Sequence, residues 1–201
     1  MTRCFLIPKN HGAADFDHLR SDAMDLLVAW QSRFGRSFVF SGRETPSDHA
    51  EEWLFLDAAT GSTFHLVCDQ QQPPLDTDVC YAALSGAPSV IDPLAIAARA
   101  SPLFHDHASI AASAAQGFES TPNLLLLMAL AGLGTDPCAE ADTALHAALD
   151  HPDAVVRYVA VFAIQQAGWD RYKEQLQGVE SHDDDENVRI LARETTRRLQ
   201  E

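Results

Sequence analysis

Long apolar segments are missing from this chain of 201 residues. No apolar run reaches the roughly 18–20 residues that a membrane-spanning helix requires, and the first residues show no signal-peptide pattern. The sequence therefore predicts no membrane association and a cytoplasmic location. A chain of this length can hold one medium domain or two small ones, and it can bury a substantial core.

Cysteine is scarce and widely scattered along the chain. The four cysteines, Cys4, Cys68, Cys80 and Cys138, include no C-x-x-C pair. This spacing gives no sign of a disulfide framework, so we interpret the four residues as buried thiols of a cytosolic protein, with disulfides as the alternative.

Basic residues are nearly absent from the middle of the chain. Residues 44–156 hold sixteen Asp and Glu but a single base, Arg99, whereas residues 1–43 and 157–201 carry only +2 and −2. The net charge is −15. A field of this sign repels phosphate backbones, which disfavours nucleic-acid binding, and it accelerates association with a basic partner. Solubility alone is the alternative explanation.

Recognisable catalytic motifs are also missing. The sequence contains neither the G-x-S-x-G nucleophile elbow nor the G-x-x-x-x-G-K phosphate loop. Gly132-Leu133-Gly134 is interpreted as the end of a helix rather than as a dinucleotide-binding loop. We therefore predict that the protein is not an enzyme, has no catalytic residues and needs no cofactor.

Two clusters of possible metal ligands remain. His105 and His107 could hold a metal only with a distant third ligand, and the candidates for it are His49 and His65. This is a less favoured alternative, a metal-dependent enzyme, because side chains at i and i+2 share a direction only on a strand and the segment resembles a loop. The acidic run 182–186 lacks the spacing and the glycine of a calcium loop, so it is interpreted as a turn.

The first 85 residues have the pattern of an α+β domain. An apolar stripe over 14–34 predicts a helix, and turn residues at 57–62 between two aromatic runs predict a hairpin. Segment 79–84 fits either a strand or a helical turn. We expect a sheet of three or four strands with one covering helix over 1–85, resembling no family that we recognise. The other predicted strand segments are 4–7, 37–40, 53–56 and 64–68.

From about residue 90 the chain is rich in alanine and poor in strand signals. Asp92 and Pro93 have the pattern of a helix cap followed by the first helical residue. The predicted junction is therefore the segment 85–89. The predicted domains are 1–85 and 90–201, which can also pack as one body.

A ten-residue phrase near the C-terminus occurs twice. Residues 151–160 return 32 positions later as residues 183–192, a period typical of stacked helical units. Each copy predicts a helix, a tight turn capped by an aspartate and a second helix. The matched pairs are Asp153 with Asp185, Val156 with Val188, Arg157 with Arg189 and Ala160 with Ala192.

This pattern resembles the HEAT repeat, in the short form seen in phycobilisome-lyase-like repeats. The resemblance covers residues 142–201, with a looser copy from about residue 92. It implies an all-α solenoid after the small sheet, so the expected fold class is α+β. In that family the turn aspartate and the arginine four residues later form a polar ladder between repeats. The positions assigned to this structural ladder are Asp153, Arg157, Asp185 and Arg189.

Repeats of this kind usually bind proteins rather than catalyse reactions. With only two lysines and much alanine and aspartate, the composition suggests a bacterial source. The leading hypothesis is a non-catalytic HEAT-like protein, most specifically an acidic immunity protein that occludes a basic toxin or effector domain. The alternative is a scaffold or maturation factor that cradles a client protein.

The candidate contact residues are acids of the hairpin and of the inter-helix loops. Two aromatic residues at the repeat junction are further candidates, although ordinary packing between repeats is the preferred interpretation for them. The complete set is Glu51, Glu52, Asp57, Asp69, Asp136, Glu140, Asp142, Asp150, Trp169 and Tyr172.

Overall fold

The chain divides into two compact units, Met1–Asp106 and His107–Glu201. None of the described helices is long and apolar enough to cross a membrane. The structure, a computed structural model, describes residues 2–9, 16–47, 50–70 and 78–200.

The first unit is built on an antiparallel sheet. Its described strands are β1 (Thr2–Pro8), β2 (Phe38–Ser47), β3 (Ala50–Asp57), β4 (Ser62–Gln70), β5 (Asp78–Gly86) and β6 (Phe104–His105). These strands form one sheet in the order β2-β3-β4-β5-β1-β6. The helices of this unit are α1 (Phe16–Phe34) and α2 (Pro88–Arg99). The expected α+β class is thereby confirmed, and segment 79–84 is a strand.

Aromatic rings fix helix α1 to the sheet. The buried ring of Trp30 meets Phe38 and Phe64 at centroid distances of 5.8 Å and 5.4 Å. Phe55 lies 6.0 Å from Phe64 on the same face. Tilted and edge-on contacts of this kind each add about 0.5–1.5 kcal/mol beyond the area they bury. The aromatic strands and the apolar stripe of the helix therefore form one core.

Helix α2 belongs to the sheet unit. Its residues Ile91, Leu94 and Ala98 are buried in the same core as the sheet and α1. The boundary between the units consequently lies between Asp106 and His107, not at the predicted junction. Sequence patterns miss this because α2 has the same alanine-rich composition as the later helices.

The start of α2 also differs from the prediction. The helix begins at Pro88, so Asp92 does not cap it and Pro93 lies inside it. Proline is well suited to the first position of a helix because its missing N–H would have had no partner there. Pro88 satisfies that rule here.

The second unit is all-helical over its described residues. Helix α4 packs against α6 and α6 against α8, while α3 packs against α5. Short turns join α5 to α6 and α7 to α8, and the helices of each pair are in contact. The helices are α3 (His107–Gly117), α4 (Asn123–Ala131), α5 (Ala139–Leu149), α6 (Ala154–Ala167), α7 (Lys173–His182) and α8 (Glu186–Arg198), with a 3₁₀ turn at Asp170–Tyr172.

The two copies of the repeated phrase have the same local structure. Asp153 accepts a hydrogen bond from the backbone N–H of Val155 (2.9 Å) at the start of α6. Asp185 accepts bonds from Asn187 (2.8 Å) and Val188 (3.1 Å) at the start of α8. Each is an N-cap, a feature worth about 1 kcal/mol to a helix.

Two glycines recur at a similar spacing, one before each of these helix caps. Gly134 and Gly168 lie 34 residues apart, and both have a positive φ, of 77° and 70°. This left-handed conformation suits glycine because it has no Cβ. The apolar helix α4, which precedes Gly134, is buried along nearly its whole length, as its leucine run predicts.

Candidate protein-binding surface

Arg157, near the start of α6, connects two turns of the second unit. Its Nε and Nη2 donate to Asp183 Oδ2 and Oδ1, both at 2.8 Å. Nη1 donates to the carbonyl oxygens of His151 (2.8 Å) and Pro152 (2.9 Å). Nη2 also contacts Asp184. One guanidinium, with only 8% of the residue exposed, therefore sets the α5–α6 turn beside the α7–α8 turn.

Arg157 pairs with a carboxylate other than those of the predicted ladder. Arg157 contacts Asp183, which lies two residues before the matched Asp185. Asp153 and Asp185 instead cap helices. Arg189 repeats part of the pattern, because its Nη1 donates to the Asp183 carbonyl oxygen at 2.6 Å. A carboxylate that accepts bonds from the first amides of its own helix is held against that helix, so Asp185 is not the partner of Arg157.

The Arg157–Asp183 pair is charged on both sides. Burial by itself would raise the pKa of Asp183, but the hydrogen bonds from Arg157 and from the Asp185 amide outweigh it and hold that pKa below the usual range. The pKa of Arg157 is raised, first by the same hydrogen bond. Two parallel N–H···O bonds between ionised groups are among the strongest that proteins form.

We call the acids of these two turns the turn edge: Asp150, Asp153, Asp183, Asp184, Asp185 and Glu186. The sequence segments that contain these acids, 150–157 and 183–189, hold only two arginines, Arg157 and Arg189. Asp150 and Glu186 are exposed, and the side chain of Asp184 is 87% exposed. Among the described residues, Asp150 and Glu186 form no ion pair. The turn edge therefore presents excess negative charge to solvent.

A solvent-open groove of about 450 Å³ between α5 and α7 continues from the turn edge. Leu149 and Val179 contribute apolar surface to it. The space beside Gly178 is open, since a Cβ there would meet nothing within 4 Å. Its lining consists of His146, Leu149, Asp150, Gln175, Gly178, Val179, His182 and Asp183. This combination suits an extended segment that carries both apolar and basic side chains.

The hairpin acids of the first unit have partners within the unit. Glu51 accepts hydrogen bonds from Arg43 (2.9 Å) and from the Trp53 indole (2.5 Å). Glu52 contacts His65. Asp57 is buried and accepts bonds from the residues of the turn that follows it. The side chain of Asp69, on β4, lies outside the described part of the structure. Asp57, at least, is therefore not accessible to a partner.

The inter-helix acids proposed from the sequence lie at two separate places. Asp136 and Glu140 are exposed near the start of α5, whereas Asp150 follows its end. An eleven-residue helix is about 16 Å long, so the structure does not bring these acids together. Asp142 has partners of its own, because it accepts a bond from the Tyr172 hydroxyl and pairs with Arg171 at 3.2 Å.

Trp169 and Tyr172 are both buried. The indole Nε1 of Trp169 donates to the Thr135 carbonyl oxygen at 2.7 Å, and its ring lies 6.4 Å from that of Tyr172. Neither ring is therefore accessible to a partner, and both belong to the packing of this unit.

The Tyr172 phenol is expected to ionise only well above the ordinary tyrosine pKa of about 10. Burial raises its pKa, and the hydrogen bond to Asp142 raises it further, because the ionised phenol would face a carboxylate. Ultraviolet titration should show a phenolate component well above pH 10 that is missing from Tyr172→Phe and moves to lower pH in Asp142→Asn. A wild-type curve that lacks this component, or in which Tyr172→Phe does not remove it, would contradict this.

The described histidines that the sequence offered as metal ligands lie on different elements. His65 contacts Glu52 and Thr63 on the sheet, His105 lies in β6 and His107 is the first residue of α3. His49 lies outside the described residues. Within the described part of the chain, no three His, Cys, Asp or Glu side chains are grouped so that they could hold a metal ion. The acidic run 182–186 spans the turn between α7 and α8.

No known protein family matches this chain, and no curated protein or solved structure is significantly similar to it. Any proposal about its function therefore rests on its own residues.

Proposed function

We propose that the protein is a non-catalytic binding protein whose second unit is a short HEAT-like solenoid. The order of helix contacts supports this, since α4, α6 and α8 pack in succession. The recurrence of aspartate caps after 32 residues and of left-handed glycines after 34 also supports it. Stacked units of this kind commonly present an extended surface to another protein.

The turn edge and the adjoining groove are the proposed binding surface. The observation that carries the proposal is that Arg157 holds two acidic turns side by side while Asp150, Asp184 and Glu186 stay open to solvent. A pre-positioned cluster of carboxylates loses little entropy on binding and attracts cationic partners from a distance. The partner is therefore a basic protein, and nucleic acid and membrane surfaces are not expected to bind.

The mechanism is occlusion. Lysine or arginine side chains of the partner pair with the exposed carboxylates, while an apolar part of the same segment contacts Leu149 and Val179 in the groove. Nucleases and other toxin domains that act on nucleic acid need basic surfaces. An acidic protein that covers such a surface would block and neutralise it at once, so an immunity protein is the specific form of the proposal.

Neutralising the exposed acids of the turn edge should weaken partner binding by about 10–100-fold, or roughly 1.4–2.8 kcal/mol. The edge variant combines Asp150→Asn, Asp184→Asn and Glu186→Gln, which spares the caps and Asp183. The measurement is capture of basic proteins from the native host on immobilised wild-type and variant protein, followed by determination of Kd for the protein recovered.

A second triple variant is the matched control. Asp136→Asn, Glu140→Gln and Glu174→Gln remove the same number of charges from other exposed positions of this unit. We expect this variant to bind like the wild type. Loss of binding in the control variant alone would place the contact surface near the start of α5 and would refute the turn edge as the site. Equal loss in both would show that only net charge matters.

A further inference from the structure

Two cysteines of the first unit face each other across neighbouring strands. Cys68 on β4 is the register partner of Cys80 on β5. Their Sγ atoms are 3.0 Å apart, which is closer than ordinary van der Waals contact between sulfurs. Both residues lie in the core, with 8% of Cys68 and 1% of Cys80 exposed. The sheet itself therefore holds the two sulfurs together.

The backbone geometry of this pair already suits a disulfide. Directly opposed residues of an antiparallel pair have Cα atoms about 4.5–5.5 Å apart. Disulfides need a Cα separation of about 4.4–6.8 Å. To form the bond, the two sulfurs must approach by only about 1 Å, from 3.0 Å to the roughly 2.05 Å of a disulfide.

The other cysteines do not compete for either sulfur. Cys4 lies opposite Leu84 in the β1–β5 pairing, four residues along β5 from Cys80, or about 13 Å. Its thiol contacts Arg99 Nη2 at 3.3 Å. Cys138 belongs to the second unit, where it precedes α5.

We propose that Cys68 and Cys80 are a reversible oxidation site that closes into a cross-strand disulfide. The oxidant is a hydroperoxide, which is small enough to reach a nearly buried sulfur. Hydrogen peroxide oxidises the Cys68 thiol, the more exposed of the two, to a sulfenic acid and releases one water. The Cys80 sulfur then attacks the Cys68 sulfur, the S–S bond forms, and the hydroxyl leaves as a second water with the Cys80 proton. Two thiols thereby supply the two electrons that reduce one peroxide.

The disulfide would fix the β4–β5 pairing of the first unit. In the unfolded chain it closes a loop of thirteen residues, 68 to 80. A disulfide that closes a loop of that size should raise the melting temperature by about 5–10 °C in a protein of this length. The rise should disappear on addition of dithiothreitol.

Peptide mapping of the peroxide-treated full-length protein tests this directly. Cleavage before aspartate separates the two cysteines, because Asp69, Asp76 and Asp78 lie between them. The expected product is peptide 57–68 joined to peptide 78–91, each of which contains one cysteine. The joined species should be lost on reduction, and it should still form in a Cys4→Ser/Cys138→Ser variant.

Two results would overturn the proposal. One is that both thiols remain open to alkylation after peroxide treatment and denaturing quench. The other is a disulfide that involves Cys4 or Cys138 in place of this pair. Cys80→Ser should give neither the joined peptides nor the rise in melting temperature. The mapping of the wild-type protein decides the question even if that variant does not fold.

Discussion

Replacing Arg157 with alanine is expected to destabilise the protein by about 3–5 kcal/mol, because it leaves a buried carboxylate without its counter-charge. The side chain of Asp183 is only 4% exposed. The variant also removes the donors to the carbonyl oxygens of His151 and Pro152. Denaturant unfolding of the purified protein measures the loss as a lower midpoint.

Arg193→Ala is the matched control for this change. Arg193 pairs with Glu180 at 3.0 Å on the surface of the same unit, and its side chain is 64% exposed. Pairs of this kind contribute about 0–1 kcal/mol. If Arg157→Ala is no more destabilising than Arg193→Ala, Arg157 does not connect the turns as described.

The effect of Arg157→Ala should depend on pH. The pKa of Asp183 in the folded protein lies below its ordinary value, so the ion pair contributes its full stability above the unfolded-state pKa of about 3.9. That contribution is lost as the pH falls through the folded-state pKa. The difference in unfolding free energy between wild type and variant should therefore be largest near neutral pH and shrink in acid. A difference that is constant down to pH 2 would contradict the role of Asp183.

Replacing Trp169 with alanine should cost about 3–5 kcal/mol as well, because it empties a large buried site. Trp169→Phe keeps much of the ring but removes the hydrogen bond to the Thr135 carbonyl oxygen, so a smaller loss of about 1–2 kcal/mol is expected. Urea unfolding of both variants separates the two contributions. Equal losses in both would mean that the hydrogen bond, rather than the ring, dominates.

The Trp169 variants also distinguish packing from binding. Since the indole is buried, partner affinity measured on the folded fraction should not change in Trp169→Phe. A stable Trp169→Phe protein that no longer binds the partner would indicate that Trp169 contacts the partner. That result would contradict the burial of the indole in the structure.

Local features of the fold follow readily from the sequence. The β3–β4 hairpin is predictable because its turn residues lie between two aromatic runs, and Asp57 and Gly61 form that turn. The helix caps Asp153 and Asp185 follow from the same kind of short-range chemistry. The assignment of α2 to the sheet does not follow, because its composition matches the later helices and only tertiary packing separates them.

The site was less predictable than the fold. The partner of Arg157 lies 26 residues away, and the repeat register points to Asp185 instead. The run of three aspartates at 183–185 was a weak sign that one of them pairs elsewhere, because an N-cap needs only one aspartate. Burial of Asp57 could not be read from residue type, whereas packing was already the preferred interpretation for Trp169 and Tyr172. Charge bias identified an acidic protein but not which acids face solvent.

The affinity of the captured partner at low and high salt tests the central claim most directly. We expect a basic protein whose Kd rises steeply between about 50 mM and about 500 mM salt for the wild type, and much less steeply for the edge variant. A neighbouring gene that encodes this partner as a toxin would identify the protein as an immunity protein. An uncharged client whose affinity is indifferent to salt would contradict the acidic-inhibitor account and would indicate a scaffold or maturation factor.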